Sequence, residues 1–205
     1  LEIKQLSLGQ LGTNGYVINE QGKALIIDPG AEAERVMETV KTLDSEPLAI
    51  LLTHAHFDHI GAVDQLRETY NIPVYLHEAE KTWLMDPKLN ASTYFPLGEI
   101  IANEADHFMV EGVLSIGPFQ FDVKHTPGHS PGGVSFVFDQ QNVVFSGDCL
   151  FKRGIGRFDL PQGNKEVLID SITRVLYRLN DACIVYPGHG PETTIGEEKE
   201  SNPFT

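Results

Sequence analysis

The residues with the greatest chemical capacity lie in Thr53-His54-Ala55-His56-Phe57-Asp58-His59, where positions 54–59 hold three imidazoles and a carboxylate. Imidazole nitrogen and carboxylate oxygen are both good donors to divalent cations of borderline hardness. The chain has eight histidines among 205 residues, so this window is a concentration and not the scatter of surface histidines. Leu48 to Leu52 is apolar and runs straight into the cluster, as a buried strand would. Strand side chains alternate with period two, which puts His54 and His56 on one face at the strand's end. Asp58 and His59 then fall on a turn entering the next helix. Donors aimed from two kinds of backbone suit two metal ions side by side better than one.

Three more segments share one design, an apolar strand ending in a glycine-flanked polar residue: Thr126-Pro127-Gly128-His129, Ser146-Gly147-Asp148 and Pro187-Gly188-His189. Glycine beside a donor lets the backbone turn sharply and approach closely. The candidate ligands are then His54, His56, Asp58, His59, His129, Asp148 and His189. One carboxylate can bridge two cations, and Asp148 is the natural bridge. Three imidazoles on one side, and Asp58 with two imidazoles on the other, complete two open shells.

The elements that must position these residues are read from periodicity and turn residues. Strands are expected at 3–8, 14–19, 23–28, 48–52, 73–76, 119–125, 133–138, 142–146 and 182–186. Helices are expected at 32–43 (Val36, Val40 and Leu43 on one face), 60–70, 78–85, and 165–179 with Leu168, Ile172, Val175, Leu176 and Leu179 as its stripe. Residues 86–112 read as irregular, and a stretch of that length is usually functional. No linker composition separates the halves. The expected fold class is α/β, two sheets packed face to face with helices outside, in one domain; a doubly wound sheet is the alternative.

Hydrophobic content of 41% supports a full core, and a net charge of −14 argues against nucleic acid or an anionic membrane as partner. No apolar run approaches the ~20 residues of a membrane span, and Leu1-Glu2-Ile3-Lys4 does not open a secretory signal. Cys149 and Cys183 lack zinc-knuckle spacing and read as buried free thiols of a reducing compartment. A soluble, cytoplasmic protein is expected.

These motifs resemble the metallo-β-lactamase superfamily, and within it the glyoxalase II-like (hydroxyacylglutathione hydrolase-like) short bacterial hydrolases. The resemblance spans the chain: His-x-His-x-Asp-His at 54–59, Thr-Pro-Gly-His-Ser-Pro-Gly at 126–132, Gly-Asp at 147–148 and Pro-Gly-His-Gly-Pro at 187–191. Leu150-Phe151, Ile155-Gly156-Arg157 and Asp159-Leu160-Pro161, with Asn202-Pro203-Phe204, are similar to the glyoxalase II branch. The resemblance implies a four-layer αβ/βα sandwich over residues 1–205, with no separate C-terminal glutathione-binding helical domain. It implies two divalent metal ions, zinc first and iron or manganese as alternatives. His54, His56 and His129 would hold one, Asp58, His59 and His189 the other, with Asp148 bridging.

Two divalent cations about 3.5–4 Å apart can share a water and bring its pKa near neutrality. The hydroxide is then the nucleophile, Asp58 orients it and takes its proton, and the metals stabilise the oxyanion that forms. A thiolate of pKa about 8.5 leaves without an added general acid, so thioester hydrolysis suits this equipment. Lys152, Arg153 and Arg157 cluster after Asp148 as candidate substrate contacts, and Arg157 falls where the glyoxalase II enzymes carry a basic residue touching glutathione. Asp159 and Pro191 stand where the eukaryotic enzymes place tyrosines, so glutathione is a candidate carrier and small thioesters the broader class. Tyr94 and Phe95 are candidate pocket residues. His125 and His77 read as structural, and Cys149 as a packing residue. A mononuclear iron persulfide dioxygenase, which carries a similar Arg-Gly-x-Gly-Arg (here 153–157), is the main alternative. Lactonase or β-lactamase activity uses the same hydroxide. A metal-binding scaffold without a substrate cleft is the non-enzymatic alternative.

Overall fold

The computed structural model describes residues 1–205 as two compact units, Leu1–Met109 with Ser115–Phe119, and Val110–Leu114 with Gln120–Thr205. In the first unit β1 (Glu2–Leu8), β2 (Thr13–Glu20) and β3 (Lys23–Ile27) run antiparallel. Helix α1 (Ala33–Thr42) crosses to β4 (Glu46–Leu51); short α2 (Phe57–Ile60) and α3 (Val63–Tyr70) lead to β5 (Val74–His77), and β6 (His107–Met109) completes the sheet. The strand order is β1-β2-β3-β4-β5-β6, and β3 to β6 are parallel. Parallel neighbours need crossovers, which is why the helices fall where they do. Ile50 and Leu51 are buried on opposite faces of β4, as a parallel strand covered on both sides requires. Val36 and Val40 of α1, with Val63 and Leu66 of α3, join Ile26, Ile50 and Leu76 in one apolar cluster.

The second unit carries another six-stranded sheet. Its members are β7 (Gly112–Ile116), β8 (Phe119–His125), β9 (Val134–Phe138), β10 (Val143–Gly147), β13 (Ile184–Pro187) and β14 (Thr193–Thr194), in the order β14-β13-β10-β9-β8-β7. Between β10 and β13 lie a small hairpin, β11 (Leu150–Phe151) and β12 (Gly154–Ile155), and helix α4 (Lys165–Arg174). Helix α5 (Ile195–Ser201) follows β14. Leu168 and Ile172 of α4 pack with Val144, Leu150 and Val185. Two separate six-stranded sheets replace the doubly wound alternative.

Several expected bounds are corrected. The helix expected at 78–85 is two 3-10 turns, Glu78–Glu80 and Trp83–Met85. The His77 ring accepts from the Ala79 N–H at 3.3 Å, and Glu80 turns fully inward to accept from the Ala55 N–H, which a regular helix would not allow. The helix expected at 60–70 is broken after Ile60, because the Ala62 N–H is given to the Pro29 carbonyl at 3.0 Å. The helix at 165–179 ends at Arg174 and continues as a 3-10 turn at Leu176–Arg178. Strand β13 starts two residues later than expected, since Asn180 holds the Ala182 and Cys183 N–H groups in a turn. No helix is long and apolar enough to cross a membrane.

Candidate metal centre

The first unit presents His54, His56, Asp58 and His59 immediately after β4, which ends at Leu51, short of the strand expected to reach Leu52. The aim of His54 and His59 is set by Asp28, just after β3. Asp28 is buried at a positive φ of 48°. Its Oδ1 accepts from the Thr53 N–H at 2.8 Å, and its Oδ2 from the Thr53 hydroxyl at 2.6 Å. The same Oδ2 lies 3.0 Å from His59 Nδ1. A carboxylate only accepts, so His59 carries its proton on Nδ1 and keeps the Nε2 lone pair for a ligand. The Thr53 hydroxyl donates its hydrogen bond to Asp28, so towards His54 Nδ1 at 3.1 Å it acts as acceptor. The proton on His54 therefore also sits on Nδ1, and its Nε2 is the donor atom. One buried aspartate thus sets two tautomers.

The His54 ring lies 4.8 Å from His56 and 4.2 Å from His59 between centroids. The ligand atoms of His54 and His56, of His54 and His59, and of Asp58 and His59 lie within 4.8 Å of each other. Asp58 and His59 sit inside the short helix α2, not on a turn ahead of a helix starting at Ile60; Asp58 Oδ2 accepts from the Thr13 hydroxyl at 2.7 Å and stands 3.7 Å from His59 Nε2. Glu80 pins the segment between His54 and His56 through the Ala55 N–H at 2.7 Å. A Cβ at Gly30 would meet the Asp58 carbonyl oxygen at 1.7 Å, so only glycine lets the two backbones approach this closely.

In the second unit His129 Nδ1 donates to the Arg157 carbonyl at 2.7 Å, again leaving Nε2 as the donor atom. Strand β10 ends at Gly147, and the Gly188 N–H bonds to the Gly147 carbonyl at 2.8 Å, setting His189 beside Asp148. Asp148 Oδ2 lies 3.5 Å from His129 Nε2 and 3.5 Å from His189 Nε2. Donors 2.0–2.1 Å from a tetrahedral ion stand roughly 3.4 Å apart, so one carboxylate oxygen between two imidazoles has the spacing of a shared metal ligand. A Cβ at Gly156 would meet the Asp148 carbonyl oxygen at 1.8 Å, which explains the glycine there. Imidazoles whose Nδ1 is engaged at His54, His59 and His129, presenting Nε2 beside carboxylates, are a donor set for divalent metal ions.

Other expected residues are placed as follows. Lys152 and Arg153 are exposed on the turn between β11 and β12. Lys152 Nζ is 3.9 Å from Glu197, and the Arg153 N–H donates to buried Glu198 at 2.9 Å. The exposed Arg157 guanidinium grips Asp159 with two bonds, 2.7 and 2.8 Å, and holds the Asp159 carboxyl down at about 2. Tyr94 is exposed, whereas Phe95 packs on Phe57 at 4.8 Å. His125 Nε2 bonds to the Pro131 carbonyl and His77 caps a 3-10 turn, both structural roles. Both cysteines are free and buried; burial pushes the Cys149 thiol up to about 12 and Cys183 to about 11. Asp28, Thr53, Thr13 and Glu80 were not foreseen. Asp28-Pro29-Gly30 does, however, repeat the strand-then-glycine design of the other ligand segments.

The family model of the metallo-β-lactamase superfamily matches residues 8–189. The chain is 46% identical over 202 residues to the probable metallo-hydrolase YqgX of Bacillus subtilis, covering 98% of this chain and 96% of that one. It is 42% identical over 188 residues to the hydroxyacylglutathione hydrolase GloC of Haemophilus influenzae, covering 91% and 89%. Among solved structures, the BLEG-1 B3 metallo-β-lactamase aligns with a TM-score of 0.96 and 50% identity over 99% of both chains. A di-iron-bound form of TTHA1623 aligns at 0.87 and 40%, over 98% of this chain and 100% of that one. ETHE1 from Myxococcus xanthus aligns at 0.81 and 31%, over 99% and 84%.

Proposed function

The chain belongs to the metallo-β-lactamase superfamily and has its fold, and on that footing we propose that it is a dinuclear thioester hydrolase of the hydroxyacylglutathione hydrolase type. The observation that carries the thioester reading is the 42% identity to GloC across most of both chains. The tautomer-locked imidazoles around Asp58 and Asp148 support the metal-dependent chemistry. His54, His56 and His129 would hold one divalent ion and Asp58, His59 and His189 the other, with Asp148 shared. Zinc is the first choice, and iron is supported by the likeness to a di-iron protein. Bound divalent ions supply Lewis acidity and bring the pKa of water into the neutral range.

The chain's own groups do the rest. Asp58, steadied by the Thr13 hydroxyl, orients the attacking water and takes its proton at the carboxylate. The Asp28–Thr53 pair holds the Nδ1 sides of His54 and His59, leaving Nε2 forward. A thiolate leaves unaided. Lys152 and Arg153 meet an anionic end of the substrate, while Arg157 does so only in competition with Asp159.

Zinc-reconstituted protein should hydrolyse S-lactoylglutathione, and Asp58→Ala should lower kcat at least 100-fold with the fold retained by circular dichroism. Survival of activity in that variant would remove the role given to Asp58. The second reading, a persulfide dioxygenase, is favoured by the likeness to ETHE1. Oxygen uptake with glutathione persulfide by iron-loaded protein, without thioester turnover, would put it first. Nitrocefin turnover measures the β-lactamase alternative raised by the likeness to BLEG-1.

A further inference from the structure

A cavity of about 200 Å³ opens against Asp58 on the first unit, walled by Leu8, Leu11, Ala31, Phe57, Leu97 and Ile100, with Thr13 beside the carboxylate. We propose that this cavity is an acyl pocket, receiving a saturated acyl chain of about six carbons and setting the chain-length preference of the enzyme. The inference rests on the thioesterase reading, which places the reacting carbonyl at Asp58.

Position, lining and size argue for it. Asp58 is the one charged group in the wall, and the thioesterase reading puts the reacting carbonyl beside it. The other walls are mainly aliphatic or aromatic, which penalises a charged acyl group and rewards methylenes. A cavity of about 150 Å³ lined by such residues holds a benzene ring, so about 200 Å³ suits six to eight carbons.

The turn that supplies part of the wall is braced by hydrogen bonds. This is the turn between β1 and β2, where Gly9 and Gly12 both adopt positive φ. Glu32 Oε1 accepts from the Gly9 N–H at 2.7 Å, and Arg35 donates both to the Ser7 carbonyl and to Glu32. Glu32 itself adopts a positive φ of 53°. Phe57, in the wall, packs on Phe95 with ring centroids 4.8 Å apart. Residues 97 and 100 come from the stretch that reads as irregular in sequence, which gives that stretch a purpose.

The test is kcat/KM for zinc-loaded protein across acetyl to octanoyl thioesters of N-acetylcysteamine, with hexanoate titrated against methyl-labelled protein by NMR. Burial of methylenes should raise kcat/KM about fourfold per carbon up to about six carbons, then cease. Ala31→Leu should move the optimum to shorter chains and Ile100→Ala to longer ones. Hexanoate should shift the methyls of Leu8, Leu11, Leu97 and Ile100. Turnover that ignores chain length, or an optimum unmoved by both variants, would overturn the pocket and leave the thioesterase reading standing. No turnover of any thioester would overturn that reading and the acyl assignment with it. Unmoved methyls in the hexanoate titration would overturn the pocket on their own, whatever the turnover.

Discussion

Asp28→Asn separates positioning from folding at the metal centre. Asparagine tolerates the left-handed backbone that Asp28 adopts at φ 48°, and its carbonyl can still accept from the Thr53 N–H, now at 2.8 Å. The amide nitrogen that replaces Oδ2 donates where Oδ2 accepted from the Thr53 hydroxyl and His59 Nδ1. The hydroxyl can rotate in response, but His59 must shift its proton to Nε2 to relieve the clash of two donors, and a protonated Nε2 cannot bind a metal. The two reversed bonds cost about 1–3 kcal/mol in total, because each new pairing recovers part of what is lost. Loss of such an outer partner typically lowers metal affinity 10–100-fold. Asp28→Ala leaves three buried groups unpaired, at roughly 1–3 kcal/mol each, and comes near the whole stability of an ordinary domain. The assay is zinc competition against a chromophoric chelator, alongside urea unfolding. Wild-type zinc affinity in a folded Asp28→Asn protein would refute the tautomer argument.

Gly156→Ala forces a Cβ to within 1.8 Å of the Asp148 carbonyl oxygen; displaced backbone should cost about 1–3 kcal/mol, read by denaturant midpoint. Asp159 is held at about 2, below its ordinary 3.8, chiefly by the hydrogen bonds of Arg157. A lowered carboxyl stabilises the folded state above its unfolded pKa and loses that contribution as pH falls through about 2. Carboxyl NMR titration should find the low value, and Arg157→Ala should return it towards the ordinary range, with little change in stability because the pair is exposed. Cys149 and Cys183, pushed up to about 12 and 11 by burial, should resist a thiol reagent at pH 8 until the protein is unfolded; prompt labelling of the native protein would contradict their burial.

The candidate donor residues stand out in sequence because each follows a strand within a few residues and most lie beside turn residues, and turn chemistry is local. Apolar runs such as Ile50-Leu51 and Phe119–His125 revealed their strands for the same reason. What escaped depends on partners distant in sequence. Glu80 reads as a polar helix residue, yet it is buried because it serves Ala55, 25 positions away. Asp28 reads as the end of a strand, and its hold on Thr53 and His59 is equally remote. Strand β7 is an edge strand with Val113 exposed, so it lacks the alternation that marks a half-buried strand. Helix α5 is short and acidic, and rests on the Thr194 cap and the inward side chains of Ile195 and Glu198. Lys152, Arg153 and Arg157 did appear as a basic cluster, but only the structure places Asp159 against Arg157.

The central proposal is that His54, His56, Asp58, His59, His129, Asp148 and His189 hold two divalent ions between them. Metal analysis of purified protein by plasma mass spectrometry, before and after dialysis against zinc, measures this directly in the wild type and in Asp148→Ala. Two ions per chain in the wild type, and fewer than one in the variant that has lost the shared carboxylate, is the predicted result. A chain that binds no ion, or a variant that still retains two, would contradict it.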